Sequence, residues 1–372
     1  MQIGIDARMF GPQQGGLGRY IEQLILQLEK IDLNNDYTIF LRKENWDCYN
    51  PTNLRFKKVL ANIKWYGFGE QILFPIIIKK EKIDLMHFPH WNVPIFYNDK
   101  FVVTIHDLLL LHFPTRHAST LGPLLYWFKN KMFKLTLNHA VKVATKIIAV
   151  SEYSKQDIAK TLKINTEKIV VTYLSPLEKN ILEAPFSLYN RYNITKPYWL
   201  YVGVAYPHKN LFKLVDAWEI YCKQNGYTYQ LVLTGKNNYF YALLKTYIKN
   251  KNIKDVVFTD FVPDTELPEL YRNASLYVFP SLYEGFGLPP LEAIQNGLPV
   301  IASDRTCLPE ILEDAAVYFN PDDPNAIVHA ANLVIKDSAV RKNLIINGSK
   351  ILQKYSWQKT ALKTIEIYSQ AK

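Results

Sequence analysis

Cysteine is scarce in this chain: three residues in 372, Cys48, Cys222 and Cys307, stand far apart. So few thiols exclude a disulfide framework or a zinc cluster and fit a reducing cytoplasm. No apolar run reaches the roughly 18 residues of a membrane span, and no leader precedes residues 1–5, which already alternate like a strand, so contact with a membrane is expected to be peripheral. Glycines are nowhere followed by Lys-Ser/Thr or spaced as GxGxxG, which argues against a Walker-type nucleotidase and a nicotinamide enzyme. Neither HExxH nor two aspartates two residues apart occurs, so no metal-ligand pair is visible and no cofactor or metal is expected.

What the chain does have is apolar and aromatic content, 48% and 14%, enough to bury two cores, and 372 residues are too many for one. The formal charge is +10, and the excess is local: eight Lys stand against two acids, Glu152 and Asp157, between Thr120 and Ile164. Inside that region the segment 121–146 sets Lys129, Lys131, Lys134, Lys142 and Lys146 among Trp127, Phe128, Met132 and Phe133. On a helix this pattern can rest on an anionic membrane, rings at the acyl boundary and ammonium groups at the headgroups. Rings packed on a sheet with lysines in water would give the same pattern. Nucleic acid is the other polyanion, but no nucleic-acid module is present.

The most informative stretch is 280–304, PSLYEGFGLPPLEAIQNGLPVIASD, between apolar runs 274–279 and 298–302 that read as buried parallel strands. The composition predicts strand, glycine loop, helix, strand. Gly285 and Gly287 let backbone amides approach a ligand, and Pro289 and Pro290 suit a first helical turn. Amides at such a helix start hold phosphate by hydrogen bond and dipole together. Glu284 and Glu292 frame the loop; because carboxylates repel phosphates, they are expected at the hydroxyl-bearing ends of a ligand whose middle is charged. A nucleotide sugar has that layout. Two solvated glutamates beside an ordinary glycine turn would also write this string.

EGFGLPPLE followed by NGLPVIASD resembles the signature of retaining glycosyltransferases of family 4. The likeness continues through GIDAR at 4–8, GGLGRY, TIHDL, AVSEYS and YVGVAYPHKNL to a terminal SWQKTA, in that family's order and spacing. It implies the α/β GT-B architecture, two doubly wound parallel-sheet, Rossmann-like domains facing across a cleft. It also implies transfer of a sugar from a nucleotide donor with retention at the anomeric carbon. Residues 1–175 are then the acceptor-side domain, with the terminal helix 357–372 packing back on it; 176–197, rich in proline, is the linker, and 198–356 is the nucleotide-sugar domain.

The resemblance assigns residues one by one. His106, directly after a strand, is expected to reach the donor sugar and Glu284 to grip it from the other side, with Lys209 on the donor phosphates. Gly15 and Gly16, at another strand-glycine-helix junction, approach the diphosphate or the acceptor. The amides of Gly285, Phe286, Gly287 and Leu288 take the diphosphate, Glu292 the ribose, and the strand-end loops at Gly203 and Val262 line the nucleotide. Relatives carry an Arg where Val204 stands, so one cation is missing; His208 is the candidate substitute. His87 and His90 are read, like His106, as loop histidines at a sheet edge. Asp107 either orients the His106 ring or closes a turn, and Ser151 reads as a helix N-cap.

The expected activity is transfer of a hexose, with GDP-mannose first among donors, to a glycan acceptor, lipid-linked, in bacterial O-antigen lipopolysaccharide or capsule synthesis at the inner membrane face. UDP-glucose, UDP-N-acetylglucosamine and deoxysugar donors stay open. So do a nucleotide-sugar epimerase or sugar phosphorylase on the same fold, and a noncatalytic carbohydrate-binding role.

Overall fold

The computed structural model describes residues 1–114, 122–177 and 191–372. They divide into two compact units, Met1–Leu174 with Ser356–Lys372, and Ser175–Tyr355.

The first unit is a seven-stranded sheet of order β3-β2-β1-β4-β5-β6-β7 in which every pair is parallel. Its strands are β1 (Gln2–Asp6), β2 (Asp36–Leu41), β3 (Phe56–Leu60), β4 (Leu85–Phe88), β5 (Phe101–Ile105), β6 (Lys146–Ala149) and β7 (Ile169–Val171). Central strands such as β5, FVVTI, are buried along their whole length, as a sheet covered on both faces requires. Edge strand β3 was hidden in sequence by Lys57 and Lys58; it pairs with β2 alone, and there Lys57 reaches Glu81 while Lys58 Nζ donates to the carbonyls of Trp46 and Tyr49.

Helices α1 (Gly15–Ile31), α2 (Phe68–Lys80), the short α3 (Leu109–His112), α4 (Pro123–Val143) and α5 (Glu152–Leu162) connect these strands. Right-handed crossovers from β3 to β4 and from β5 to β6 set α2 and α4 on the same face. There Phe74 and Ile78 of α2 share one core with Leu137, Ala140 and Val141 of α4. Ser151 caps α5, accepting from Ser154 N at 3.0 Å. The terminal helix Trp357–Gln370 belongs to this unit and packs beside α1, Trp357 against Tyr20. Its Tyr368 hydroxyl lies 2.7 Å from His87 Nδ1; His87 Nε2 is 2.9 Å from Thr104 Oγ1, which is 3.1 Å from the Tyr20 hydroxyl. His87 therefore sits within β4, fully buried, rather than on the loop expected for it.

The second unit has six parallel strands in the order β10-β9-β8-β11-β12-β13. These are β8 (Tyr198–Val202), β9 (Gln230–Thr234), β10 (Val256–Asp260), β11 (Leu276–Phe279), β12 (Val300–Ser303) and β13 (Ala316–Phe319). Helices α6 (Leu211–Asn225), α7 (Tyr239–Asn250), α8 (Leu267–Asn273), α9 (Leu288–Gln295), α10 (Leu308–Leu312), α11 (Pro324–Lys336) and α12 (Ser338–Leu352) join and follow them, and Trp357–Gln370 is α13. Of the expected linker, 178–190 lies outside the described residues. Residues 191–197 are bound into the second unit, the Gln230 side chain accepting from Thr195 N and Lys196 N at 2.7 and 3.0 Å.

Candidate active site

In an open parallel sheet, ligands bind where the strand order reverses, because two loops leave the carboxyl edge in opposite directions and open a crevice. In the second unit that point lies between β8 and β11. The loop after β8 carries Gly203 to Lys209, and the loop after β11 carries Glu284 to Gly287. Leu282 N donates to His208 O at 2.7 Å, which ties the loops together. Across this junction Lys209 Nζ lies 2.5 Å from Glu284 Oε1, and the Lys209 ammonium also stands 5.5 Å from the Phe279 ring centre. Both side chains are largely buried, 15% and 13% exposed, so the pair is only weakly screened by water.

The backbone of Glu284 is clamped from the loop after β12: its N–H donates to Thr306 Oγ1 at 3.2 Å and its carbonyl accepts from Cys307 Sγ at 3.3 Å. Neither clamp was legible in sequence, where Cys307 reads as an ordinary thiol. Gly287 caps α9 at φ 89°, in the left-handed region, and a Cβ there would stand 2.8 Å from Leu308 Cδ2. Pro289 and Pro290 occupy the next two positions after Leu288, so among the first three residues of α9 only Leu288 has an N–H to offer. The Phe286 ring is buried edge-on against Tyr355, so this residue has only its backbone for a ligand.

The β8 loop is pinned by three tyrosines. The hydroxyls of Tyr277, Tyr241 and Tyr201 donate to the consecutive carbonyls of Val202, Gly203 and Val204 at 3.3, 2.9 and 2.9 Å. Sequence gave no hint of this, since each tyrosine reads as core. Tyr271 donates to Glu292 Oε2 at 3.1 Å, which fixes that carboxylate on α9. Val262 is a buried side chain in the loop after β10. His208 is buried too, and burial, helped by the Lys209 charge, pushes its pKa down to about 3. It is therefore neutral at physiological pH and does not supply the cation missing at Val204.

In the first unit the reversal falls between β1 and β4. Gly15, at φ 64°, and Gly16 start α1 on the exposed side of the β1 loop; a Cβ at either would meet nothing within 4 Å, so packing does not require glycine there. The half-buried His106 follows β5. Its Nε2 donates to the Pro89 carbonyl at 3.0 Å, leaving the lone pair on Nδ1, and the Tyr20 ring stands edge-on to it. Enclosure pushes its pKa down to about 4, against the pull of the Pro89 carbonyl, so the ring is a neutral acceptor. Asp107 accepts from Leu109 N at 2.9 Å, closing the turn into α3. Arg8 of GIDAR was quoted in sequence without a role; it is buried between Asp6 and Glu70, at 2.7 and 2.6 Å, and stacks on Phe74.

The basic aromatic segment splits in two. Trp127 and Phe128 of α4 are exposed beside Lys129, Lys131 and Lys134. Phe133, expected alongside them, turns inward and packs on Trp91 at 4.6 Å, because helical spacing carries it to the core face, and Met132 is half-buried. Lys146 belongs to β6 and donates to Glu167 O, and Leu121 lies outside the described residues. Among the described residues no helix is long and apolar enough to cross a membrane, and no three His, Cys, Asp or Glu side chains group as a metal site.

Residues 14–174 match the family model Glycosyltransferase Family 4, and residues 190–351 match Glycosyl transferases group 1. The O-antigen chain mannosyltransferase B of Escherichia coli is 28% identical over 289 residues, 76% of this chain and 74% of that protein. Among solved structures, sucrose-phosphate synthase from Thermosynechococcus elongatus is similar with a TM-score of 0.75 at 20% identity, over 100% of this chain and 98% of its own. Anabaena Alr3699/HepE in complex with UDP gives 0.74 at 16% identity, over 99% of each. These likenesses are of fold: two parallel-sheet α/β domains of the GT-B kind.

Proposed function

Because the chain belongs to the family 4 glycosyltransferases, we propose that it moves mannose from GDP-mannose to a lipid-linked glycan acceptor in bacterial O-antigen or capsule assembly. The transfer retains the anomeric configuration and needs no metal ion. The observation that carries this reading is the Lys209–Glu284 pair at the β8/β11 crevice, a cation and a carboxylate held together where a phosphate and a sugar hydroxyl would need one each. The choice of mannose is supported by the name of the E. coli relative.

On donor entry, Lys209 turns from Glu284 to the diphosphate, and the freed carboxylate accepts hydroxyls of the sugar. The acceptor oxygen bonds to the anomeric carbon as the bond to the phosphate oxygen breaks, and the acceptor proton passes to the departing diphosphate on the same face. Lys209 and the amides about Leu288 stabilise the charge that develops on the leaving group, each worth a few kcal/mol in the transition state. Glu284 positions the sugar rather than bonding to it. Glu292 receives the ribose hydroxyls. Val262 offers backbone groups to the nucleotide, and Gly203 lines it. His106 accepts from a hydroxyl of the donor sugar, and Gly15 and Gly16 approach the diphosphate or acceptor.

Docking on an anionic membrane is part of the proposal, and one surface supports it. Exposed Trp127, Phe128 and Leu135 of α4, with Lys129, Lys131 and Lys134, lie on the sheet face that also carries α2, whose Phe68, Ile72, Leu73 and Ile76 are exposed.

A calorimetric panel of nucleoside diphosphates and their sugars tests the donor. GDP and GDP-mannose are expected to bind most tightly. Tighter binding of UDP would move the assignment to a UDP-sugar, the second reading, favoured by the UDP complex of the Anabaena structure. Donor alone yielding free nucleotide and a sugar inverted at C2 would make the protein an epimerase.

A further inference from the structure

A pocket of about 120 Å³ opens in the first unit beside the β1 loop, and His106 is not among the residues that line it. Gln13, Gln14, Arg42, Glu44, Cys48 and Trp65 are. These residues come from three separate connections, those after β1, β2 and β3, so the pocket depends on the tertiary fold.

Its chemistry is that of a site for a neutral, hydroxyl-rich ring. The two arginines that border it are already matched by carboxylates: Arg8 by Asp6 and Glu70, and Arg42 by Glu44 at 2.5 Å. A phosphate would find no surplus positive charge. The Arg42 guanidinium lies over the Trp65 ring, 4.7 Å from its centre, which holds the two side chains together. Arg42 is half-buried, and its guanidinium carries more N–H donors than the one bond to Glu44 uses. Gln13 and Gln14 add two exposed carboxamides that both donate and accept. An aromatic ring, exposed amides and no surplus positive charge suit a pyranose.

We propose that this pocket holds one sugar ring of the acceptor, gripped by Trp65, Arg42, Gln13 and Gln14. The proposal rests on the glycosyltransferase reading and names the site that selects the acceptor.

Cys48 makes the test direct. Of the three cysteines it is exposed and lines the pocket, whereas Cys222 and Cys307 are buried. The rate at which a maleimide labels Cys48 is followed by mass spectrometry in the presence of a saturating nucleoside diphosphate. The probes are methyl mannoside, glucoside, galactoside and N-acetylglucosaminide, and mannobiose. At ten times its dissociation constant a sugar leaves about one pocket in eleven open, so labelling is expected to slow about tenfold for at least one probe. Trp65→Ala and Arg42→Ala should abolish this protection and Trp65→Phe retain most of it, with thermal melts showing that each variant is folded. Unchanged labelling with every probe up to about 100 mM, a range that would detect binding weaker than 1 mM, overturns the proposal. So does equal protection in Trp65→Ala. Calorimetry of the nucleoside diphosphate on the same samples separates the outcomes: nucleotide binding without protection of Cys48 removes the pocket alone, and no nucleotide binding removes the glycosyltransferase reading.

Discussion

Lys209 Nζ and Glu284 Oε1 stand 2.5 Å apart in the second unit, each on a loop that leaves the sheet where its strand order reverses. A charge-assisted bond between largely buried partners keeps each in place. In the proposed mechanism donor binding exchanges one partner for another rather than ordering two loose side chains, which lowers the entropic cost of binding.

Removing one partner should separate their roles. Glu284→Ala is expected to cut turnover by at least about 10²-fold, because the sugar loses its positioning, while affinity for the nucleoside diphosphate stays near the wild-type value. Lys209→Ala is expected to weaken that affinity about tenfold or more, the scale of a hydrogen bond to a charged group. Calorimetry and initial rates on both variants check this. Wild-type turnover in Glu284→Ala would remove the assignment.

Glu292 is proposed to serve the other end of the donor. Glu292→Ala should weaken nucleoside diphosphate binding with a smaller effect on turnover at saturation. Tyr271→Phe, which takes away the hydroxyl donating to Glu292 Oε2, should weaken it less. Nucleotide affinity untouched in Glu292→Ala would refute the ribose contact.

Activity is expected to survive EDTA, since Lys209 and the amides about Leu288 are proposed to carry the diphosphate charge. Complete loss of turnover on chelation, restored by magnesium or manganese, would show that a metal ion takes that part. Partial stimulation by metal would not, because ions also bind released diphosphate.

The pH dependence of stability follows from four enclosed histidines, His87, His90, His106 and His208, of which the first and last are the most buried. Burial first, and the neighbouring His106 and Lys209 second, push His87 and His208 from 6.5 down to about 3 each. Below about 6.5 the unfolded chain binds protons that the folded chain refuses. Stability is therefore full above that pH and falls as pH drops towards 3, by up to about 1.4 kcal/mol per pH unit for each histidine. Urea unfolding at pH 7, 6 and 5, where ordinary carboxylates stay ionised, should show the decline, and His208→Gln should make it shallower by that residue's share. An unfolding midpoint unchanged from pH 7 to 5 would contradict this.

Membrane docking predicts that the protein sediments with vesicles containing anionic lipid and much less with neutral ones. The variant with Lys129, Lys131 and Lys134 changed to Glu should lose the anionic preference, since each Lys contributes about 1 kcal/mol near such a surface. Replacing Ile72 and Ile76 of α2 by Ser should weaken binding without altering its dependence on lipid charge. Equal sedimentation with both lipids for wild type and variants, or none, would leave a water-borne acceptor.

Sequence alone determined the alternation of strands and helices, the doubly wound class, and the loop-helix junctions at Gly15 and Gly287. These depend on local periodicity and on backbone positions that favour particular residues. It also singled out Lys209, Glu284 and Glu292, because a motif keeps its residues close along the chain. What it could not weigh was partnership between distant segments. That Lys209 meets Glu284, that Thr306 and Cys307 clamp Glu284, that three tyrosines pin the carbonyls of Val202, Gly203 and Val204, and that His87 is core were decided by strand order. Edge strand β3 was missed because lysines on a solvated edge look like a loop, and the inward turn of Phe133 because only the helix's rotation against the sheet says which rings meet water. His208 shows the same limit: its residue type permits a cation, but burial beside Lys209 keeps it neutral, since the charged form would lose hydration and face a like charge.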